Sequence, residues 1–580
     1  MEKTFHGSFV LLASGLALAA WIWRKYSFQR AAQTFSMALF FSLFWLAAFE
    51  GRPSWPVELF LVSDPLLAAI AGLAGQMVRP LFFLSVIFIL LAVFMGRVFC
   101  SHICPLGAFF DLGDRLVARP QKAKENRQNL RGWRKAKLAI LFAVFGAALF
   151  GFQLLGLFDP LVVFTRFSAC LFYPALLALQ DAGLVLIRPV AGQLGLLELE
   201  YLEIVQPAFA GAVGFLVIML GLVLLGRIQP RFWCRHLCPL GALLGLIGRF
   251  SPYRRRVSEK CTGCGRCVRL CPTGAIGEKG DTTDRSECIV CLRCVRQCPE
   301  KAVSFSFGQK RTEQDLAGVN PSRRLFLGGV ASGVGAALAF KIDSTHPSES
   351  FLPLPFRHGR LIRPPGALPE PEFLARCVRC GECMRACLTN TIQPDWYRAG
   401  LEGLWAPCLD LRHAACEQTC NVCGRVCPTG AIRSLSLIEK QHAKIGTAVI
   451  IRDRCLPWSQ DRRCLICDEQ CPYNAIVFQH DSQHKVGLPL VNADRCNGCG
   501  QCEDKCPVLG EAAIIVVPQG ELRLSSGSFV EEARARGLVF EGKKQFLDQY
   551  RLDDEDAPEE KENPDFSPQV EPKLPPGIEE

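Results

Sequence analysis

The sequence predicts an α-helical membrane bundle followed by two α+β domains that each hold several metal clusters. Three observations lead there. Long apolar stretches crowd the first 250 residues, two runs of four cysteines follow at 261–298, and four further runs lie at 377–506. Half of the 580 residues are hydrophobic and mean hydropathy is +0.20, high for a soluble protein. That length accommodates several domains. Thirty cysteines would imply a disulfide scaffold only in a small secreted domain. Here 25 fall in the runs, 4 in two C-x3-C-P pairs, and 1, Cys170, stands alone. The net charge of +10 is no nucleic-acid signature, so no nucleic-acid partner is expected. Its clusters, Arg131-Gly-Trp-Arg134-Lys135 and Arg254-Arg255-Arg256, flank apolar segments as cytoplasmic ends of membrane spans do.

Residues 1–250 read as the membrane domain. Apolar stretches at 8–23, 32–49, 81–99, 137–158 and 205–228 approach the ~20 residues that cross a bilayer. Arg24 and Lys25 follow the first stretch where a secretory signal would carry a cleavage site. The segment 161–190 either crosses or lies on the surface, and Asp181 and Arg188 favour partial insertion. The domain contains an internal repeat. Asp64-Pro65-Leu66 leads to Cys100-Ser-His102-Ile-Cys104-Pro105-Leu-Gly107, and Asp159-Pro160-Leu161 leads to Cys234-Arg-His236-Leu-Cys238-Pro239-Leu-Gly241. Basic loops put both cysteine pairs at the cytoplasmic face. Four thiolates and two histidines could hold one cluster or an iron, shuttle electrons as dithiols, or only cap helix ends. Asp64 and Asp159 are read as helix caps, with a place at a quinol site as the lesser alternative.

Residues 251–310 form the first soluble module, on the cytoplasmic side. Cys261, Cys264, Cys267 and Cys271-Pro272 are followed by Cys288, Cys291, Cys294 and Cys298-Pro299. Both runs fit C-x2-C-x2-C-x3-C-P, in which three cysteines of one run and the last of the other ligate each [4Fe–4S] cube. Zinc could use two such pairs, but would need neither the doubled run nor the prolines. Residues 318–342 contain Ser322-Arg323-Arg324-Leu-Phe326-Leu327 before a Gly/Ala-rich apolar segment, a twin-arginine signal in an internal position. A plain anchor with two positive-inside arginines is the alternative. Either way the remainder, 343–580, lies outside the cytoplasm, beginning with a Pro/Ser-rich linker at 343–369.

Residues 370–518 carry four runs and so four more clusters, about six in all. Cys377, Cys380, Cys383 and Cys387 are compact, with Leu388 in place of proline. Cys420, Cys423 and Cys427 need a first ligand upstream, Cys408 or Cys416. Eight residues separate Cys455 from Cys464, Cys467 and Cys471, and that expanded precedent favours Cys408. Cys496, Cys499, Cys502 and Cys506 close the set. Compact outer runs around expanded inner ones suggest nested pairing, first with fourth and second with third. Both modules are therefore expected to be α+β ferredoxin-like polycluster domains. A short helix at Ser528–Gly537 and an acidic, mostly disordered tail complete residues 519–580.

The paired C-x3-C-P motifs on a multi-span unit, followed by a two-cluster module, resemble NapH, a membrane ferredoxin-type family of periplasmic nitrate reductase systems. The twin arginines and four runs resemble NapG, its exported partner family. Together the order is similar to a NapH–NapG fusion over residues 1–518, and the membrane half is also similar to NosR and the FixG/CcoG group. The resemblance implies an electron-transfer component of a quinol dehydrogenase, multi-pass in the inner membrane. It would take electrons from the quinone pool, with quinol as substrate, and pass them to a periplasmic reductase or c-type cytochrome. His102 and His236 would be the groups nearest the quinol chemistry, or would only hydrogen-bond a helix end. Cys100, Cys104, Cys234 and Cys238 could add a further redox centre. The alternative function is a redox accessory or maturation protein for a partner metalloenzyme, as NosR and CcoG imply. A redox sensor would not need six clusters.

Overall fold

The computed structural model describes residues 28–46, 58–76, 79–117, 133–193, 206–308, 322–343 and 360–540. The chain divides into two compact units, 1–342 with 374–382, and 343–373 with 383–580. The expected first span at 8–23, the residues Asn320 and Pro321, most of the linker and the acidic tail lie outside the described residues.

In the first unit the apolar stretches become helices, but several are shorter than the sequence suggests. The stretch 81–99 yields a 3-10 turn and a helix ending at Met95, 137–158 yields Arg134–Leu149, and 205–228 yields Ala212–Leu224 with one 3-10 turn. The reason is local. Gly96 (φ 74°, ψ −152°) and Gly211 (φ 74°, ψ 18°) adopt positive-φ backbone at a helix boundary, so the apolar stretch outruns its helix there. Among the described residues two helices are long and apolar enough to cross a membrane, Pro160–Pro189 and Arg323–Lys341. The first covers the segment 161–190, whose length and composition suffice for a span. It runs on through a π-helical turn at Ser168–Phe172, and Arg188 lies 4.0 Å from Asp181, so the two charges compensate one another along its length. Its outer face is apolar and open, with Leu186 79% and Leu179 70% exposed.

The helix Arg323–Asp343 carries the twin arginines at its start and packs on Arg134–Leu149 through small residues. A Cβ at Gly333 would collide with the Ala143 carbonyl, and one at Gly329 would come within 2.8 Å of Phe142 Cβ. Backbones approach this closely only where side chains are small, the rule of Gly-xxx-Gly helix pairs. Phe326 adds an edge contact to Phe142 at 5.0 Å.

Residues 253–308 form the small module of this unit. Strands β1 (Tyr253–Val257) and β2 (Val303–Phe307) pair antiparallel, Arg255 opposite Phe305, and bracket the two cysteine runs. Val268, Ile276, Cys294 and Val303 make its core. A buried ion network joins the module to the helices. Lys137 Nζ sits 2.5 and 2.6 Å from the Glu287 carboxylate oxygens, and Arg97 reaches the same carboxylate at 3.3 Å and the Ser286 carbonyl at 2.9 Å. Burial alone would raise the Glu287 pKa, but Lys137 and Arg97 hold it below the usual carboxylate range.

The second unit contains three further antiparallel pairs. They are β3 (Ile392–Pro394) with β4 (Pro407–Leu409), β5 (Thr447–Ile450) with β8 (Ile514–Val517), and β6 (Ile476–Gln479) with β7 (Leu488–Val491). The pair β5–β8 encloses β6–β7 in sequence. A C-terminal helix, Phe529–Ala535, is capped by the Ser528 hydroxyl and docks Phe529 beside Leu435, Ala443 and Leu522.

Glu287→Ala would leave Lys137 and Arg97 buried without their shared carboxylate. Removing one member of a buried pair costs about 3–5 kcal/mol. Limited proteolysis of the full chain is expected to open residues 253–308 in this variant before the second unit, and an unchanged cleavage pattern would contradict the network.

Candidate iron–sulfur sites

Each short helix within a run follows a turn that aims thiols inward. Gly265 takes φ +67° before Arg266–Arg269, and Leu292 takes φ 58° at the matching place before Arg293–Arg296. A leucine held in left-handed backbone costs roughly 1–2 kcal/mol, so the surrounding fold imposes this turn.

The result is a repeated hollow. Cys261, Cys264 and Cys267 line one of about 360 Å³ together with Cys298. Cys288, Cys291 and Cys294 line one of about 350 Å³ with Cys271. In the second unit Cys496, Cys499 and Cys502 share about 330 Å³ with Cys471, and Cys455, Cys464 and Cys467 share about 370 Å³ with Cys506. All four hollows use three thiols of one run and the last of another, the crossed ligation of two-cluster ferredoxins. Among the described residues no three His, Cys, Asp or Glu side chains close on a single metal ion. Three thiols of one run with the last of another is the donor set of a [4Fe–4S] cube. Backbone amides point at the sulfurs: Ala275 N lies 3.3 Å from Cys271 Sγ, and Ala475 N lies 3.3 Å from Cys471 Sγ. Such N–H···S bonds raise the potential of a bound cluster by stabilising its added electron.

Two expectations are overturned. The first concerns Cys408. It sits on β4, fully buried, with its thiol 3.5 Å from the Gln393 carbonyl. Burial and then Asp395 push that thiol up to about 12, and its other charged neighbours are Arg398, Arg363 and Asp410. Cys416 instead lies beside Cys387, Cys420 and Cys423. Pairing of β3 with β4 puts Cys408 opposite Gln393, whose carbonyl its thiol meets. The spacing Cys416-x3-Cys420-x2-Cys423 was visible, but the insertion after Cys455 was the wrong precedent. The second concerns pairing. The third run shares its hollows with the fourth, and Cys387 of the first run meets the second, so pairing is consecutive rather than nested. Antiparallel β5–β8 brings residues 447–450 to 514–517 and closes the third and fourth runs on each other.

Sequence reasoning also missed Tyr473. This 4% exposed residue lines the Cys471/Cys496/Cys499/Cys502 hollow and donates its hydroxyl to Gln418 Oε1, two residues from Cys416. It lies between neighbouring cysteine groups, which the Cys416 N to Cys499 O bond at 2.9 Å also joins.

In the first unit both C-x3-C-P pairs fold alike. The amides of Ile103 and Cys104 donate to Phe99 O at 3.0 and 2.9 Å, and those of Leu237 and Cys238 donate to Trp233 O at 2.9 and 3.0 Å. His102 Nδ1 lies 2.5 Å from Ser101 Oγ, and His236 Nε2 lies 2.9 Å from Gln229 Oε1. Both rings thus have local partners, the helix-end alternative. Asp64 and Asp159 are N-caps: each Oδ1 accepts two backbone N–H groups, at 2.7 and 3.2 Å and at 2.9 and 3.0 Å.

Hollows, thiols and short turns of this kind define an iron–sulfur protein of the ferredoxin type. Residues 78–124 and 207–258 match one family profile, described as a 4Fe-4S binding domain, and so cover both C-x3-C-P pairs. Residues 256–277 and 374–390 match other 4Fe-4S binding domains, and residues 462–509 match a 4Fe-4S dicluster domain. The methylamine utilization ferredoxin-type protein MauM of Methylorubrum extorquens is 38% identical over 214 residues, 34% of this chain and 90% of that protein. The ferredoxin-type protein NapG of Escherichia coli is 35% identical over 209 residues, 34% of this chain and 84% of that protein. NapF of Escherichia coli is 32% identical over 148 residues, 25% of this chain and 80% of that protein. The chain belongs to the family of ferredoxin-type proteins that includes MauM and NapG.

If Cys416 is the ligand, Cys416→Ser should remove about four iron atoms per chain, one cube, while Cys408→Ser keeps the full complement. Iron analysis of the anaerobically purified variants checks this, and the opposite pattern would restore Cys408.

Proposed function

We propose that this iron–sulfur electron-transfer protein oxidises hydroquinone at the inner membrane and passes the electrons to a periplasmic reductase or c-type cytochrome. It would combine a NapH-like membrane half with a NapG-like exported half. The observation that carries this is repetition: four hollows among the described residues, each lined by thiols of two cysteine runs, as a chain of one-electron carriers needs. When bound, a [4Fe–4S] cluster accepts and releases one electron. The chain's own residues set its surroundings, with thiols fixing position and amides such as Ala275 N and Ala475 N aimed at sulfur. Hydroquinone oxidation releases two electrons and two protons, so two one-electron carriers take the electrons of each turnover.

Cluster ligands in this proposal are the cysteines of 261–298, then Cys377, Cys380, Cys383, Cys387, Cys416, Cys420, Cys423, Cys427, Cys455, Cys464, Cys467, Cys471, Cys496, Cys499, Cys502 and Cys506. Membrane attachment is supported by the two long apolar helices, and export of the second half by the arginines that open Arg323–Asp343. The close packing of that helix on Arg134–Leu149 favours an anchor that stays attached. A maturation role for a partner metalloenzyme is the second reading. It shares the cysteine pairs and differs in needing no steady turnover.

In proteoliposomes, a hydroquinone analogue should drive continuous reduction of external cytochrome c. Dithionite-only reduction, with no hydroquinone turnover, would overturn the proposal. Arg323→Lys with Arg324→Lys should leave residues 370–518 protected from protease added outside spheroplasts. Normal cleavage would contradict twin-arginine export.

A further inference from the structure

The two C-x3-C-P pairs share more than their spacing. Each has an arginine three residues before its first cysteine, Arg97 and Arg231, and a glycine three residues after its second, Gly107 and Gly241. The arginines are exchanged between repeats. Arg231 donates to Cys100 O at 3.0 Å and Gly107 O at 3.2 Å, both in the first repeat. Arg97 lies against Gly241 of the second repeat, where a Cβ would meet its Nη2 at 2.7 Å and Cys238 Sγ at 3.3 Å. Gly241 therefore leaves room for Arg97 of the other repeat, whereas a Cβ at Gly107 would meet the Cys100 carbonyl at 2.8 Å.

The four thiols converge inside this exchange. Cys104 neighbours Cys100 and Cys234, and Cys238 neighbours Cys234, Cys100 and Cys104. Arg97 is only 1% exposed, yet its Nε and Nη2 have no hydrogen-bond partner, and it lies beside Cys100 and Cys238. Cys100 already bonds this side chain, and a buried guanidinium is costly to leave under-satisfied, so its remaining donors call for a further anionic acceptor. As in the ferredoxin runs, no three of the groups close on one ion. Cluster sulfurs would meet both demands, spanning four thiols and accepting from Arg97.

We propose that Cys100, Cys104, Cys234 and Cys238 together hold one anionic iron–sulfur cluster between the two repeats, with Arg97 and Arg231 as its counter-charges. Two thiols come from each half, so neither repeat holds the cluster alone. The site adjoins the small module: Arg231 pairs with Asp111 at 2.8 Å, and Arg293, which lines the Cys271/Cys288/Cys291/Cys294 hollow, pairs with the same carboxylate at 2.8 Å. That contact makes it the membrane-side neighbour of the module's clusters. The proposal rests on the iron–sulfur part of the proposed function and not on the hydroquinone step.

The test is iron and acid-labile sulfide per chain in the anaerobically purified full-length protein, with Cys104→Ser/Cys238→Ser beside it. The double variant should lose about four iron and four sulfide. An equal content would overturn the site, as would a disulfide among these cysteines found by alkylation of the unreduced, denatured protein. Should the double variant fail to accumulate, Arg97→Gln decides. It should keep its iron but lower one midpoint potential in a redox titration, and Arg97→Lys should restore it. Unmoved midpoints would overturn the site. None of these readouts uses hydroquinone, so loss of turnover with full iron would count against the proposed function alone.

Discussion

Crossed ligation is the constraint on which the rest of the structure depends. A run of three closely spaced cysteines cannot surround a cube, so its fourth thiol must come from another run. That requirement brings distant segments together, and the sheets follow from it. In the first unit, β1 and β2 join the ends of a module whose two hollows each borrow Cys298 or Cys271. In the second, β5–β8 closes around the third and fourth runs. The strands are short, and the hydrophobic clusters beside them are small. Much of each module's order therefore depends on metal binding, because ligation of a preformed site contributes directly to folding.

Charge does in the first unit what thiols do in the modules. Arg97, Lys137 and Glu287 form one buried group, while Arg231, Asp111 and Arg293 form another. Each spans from a helix to the small module. Buried ion pairs are weak evidence of stability, since desolvation offsets much of their attraction. Their use here is to fix relative position. Arg97 and Arg231 each reach into the opposite repeat, so the network also ties the two repeats together.

Local spacing was legible in the sequence, and long-range pairing was not. The doubled run at 261–298, the Asp64 and Asp159 caps, the repeat around Cys100 and Cys234, and the Ser528-capped helix all follow from residues close in sequence. The choice between Cys408 and Cys416 depended on a contact between β3 and β4, which no cysteine spacing reveals. Consecutive rather than nested pairing likewise depended on β5 meeting β8. Helix lengths were overestimated because hydropathy continues through Gly96 and Gly211 although the backbone turns there. Arg97 and Arg231 carry a faint signal, an arginine at the same offset before each pair, and their exchange between repeats appears only in three dimensions.

A hydroquinone-fed relay carried on a single polypeptide is the central claim of the proposed function. The most direct measurement is low-temperature EPR of the anaerobically purified, membrane-reconstituted protein, frozen before and after addition of menaquinol. A relay fed by hydroquinone predicts reduced [4Fe–4S] signals that appear with menaquinol and that Cys499→Ser diminishes, placing electrons in the second unit. Signals that appear only with dithionite would contradict it.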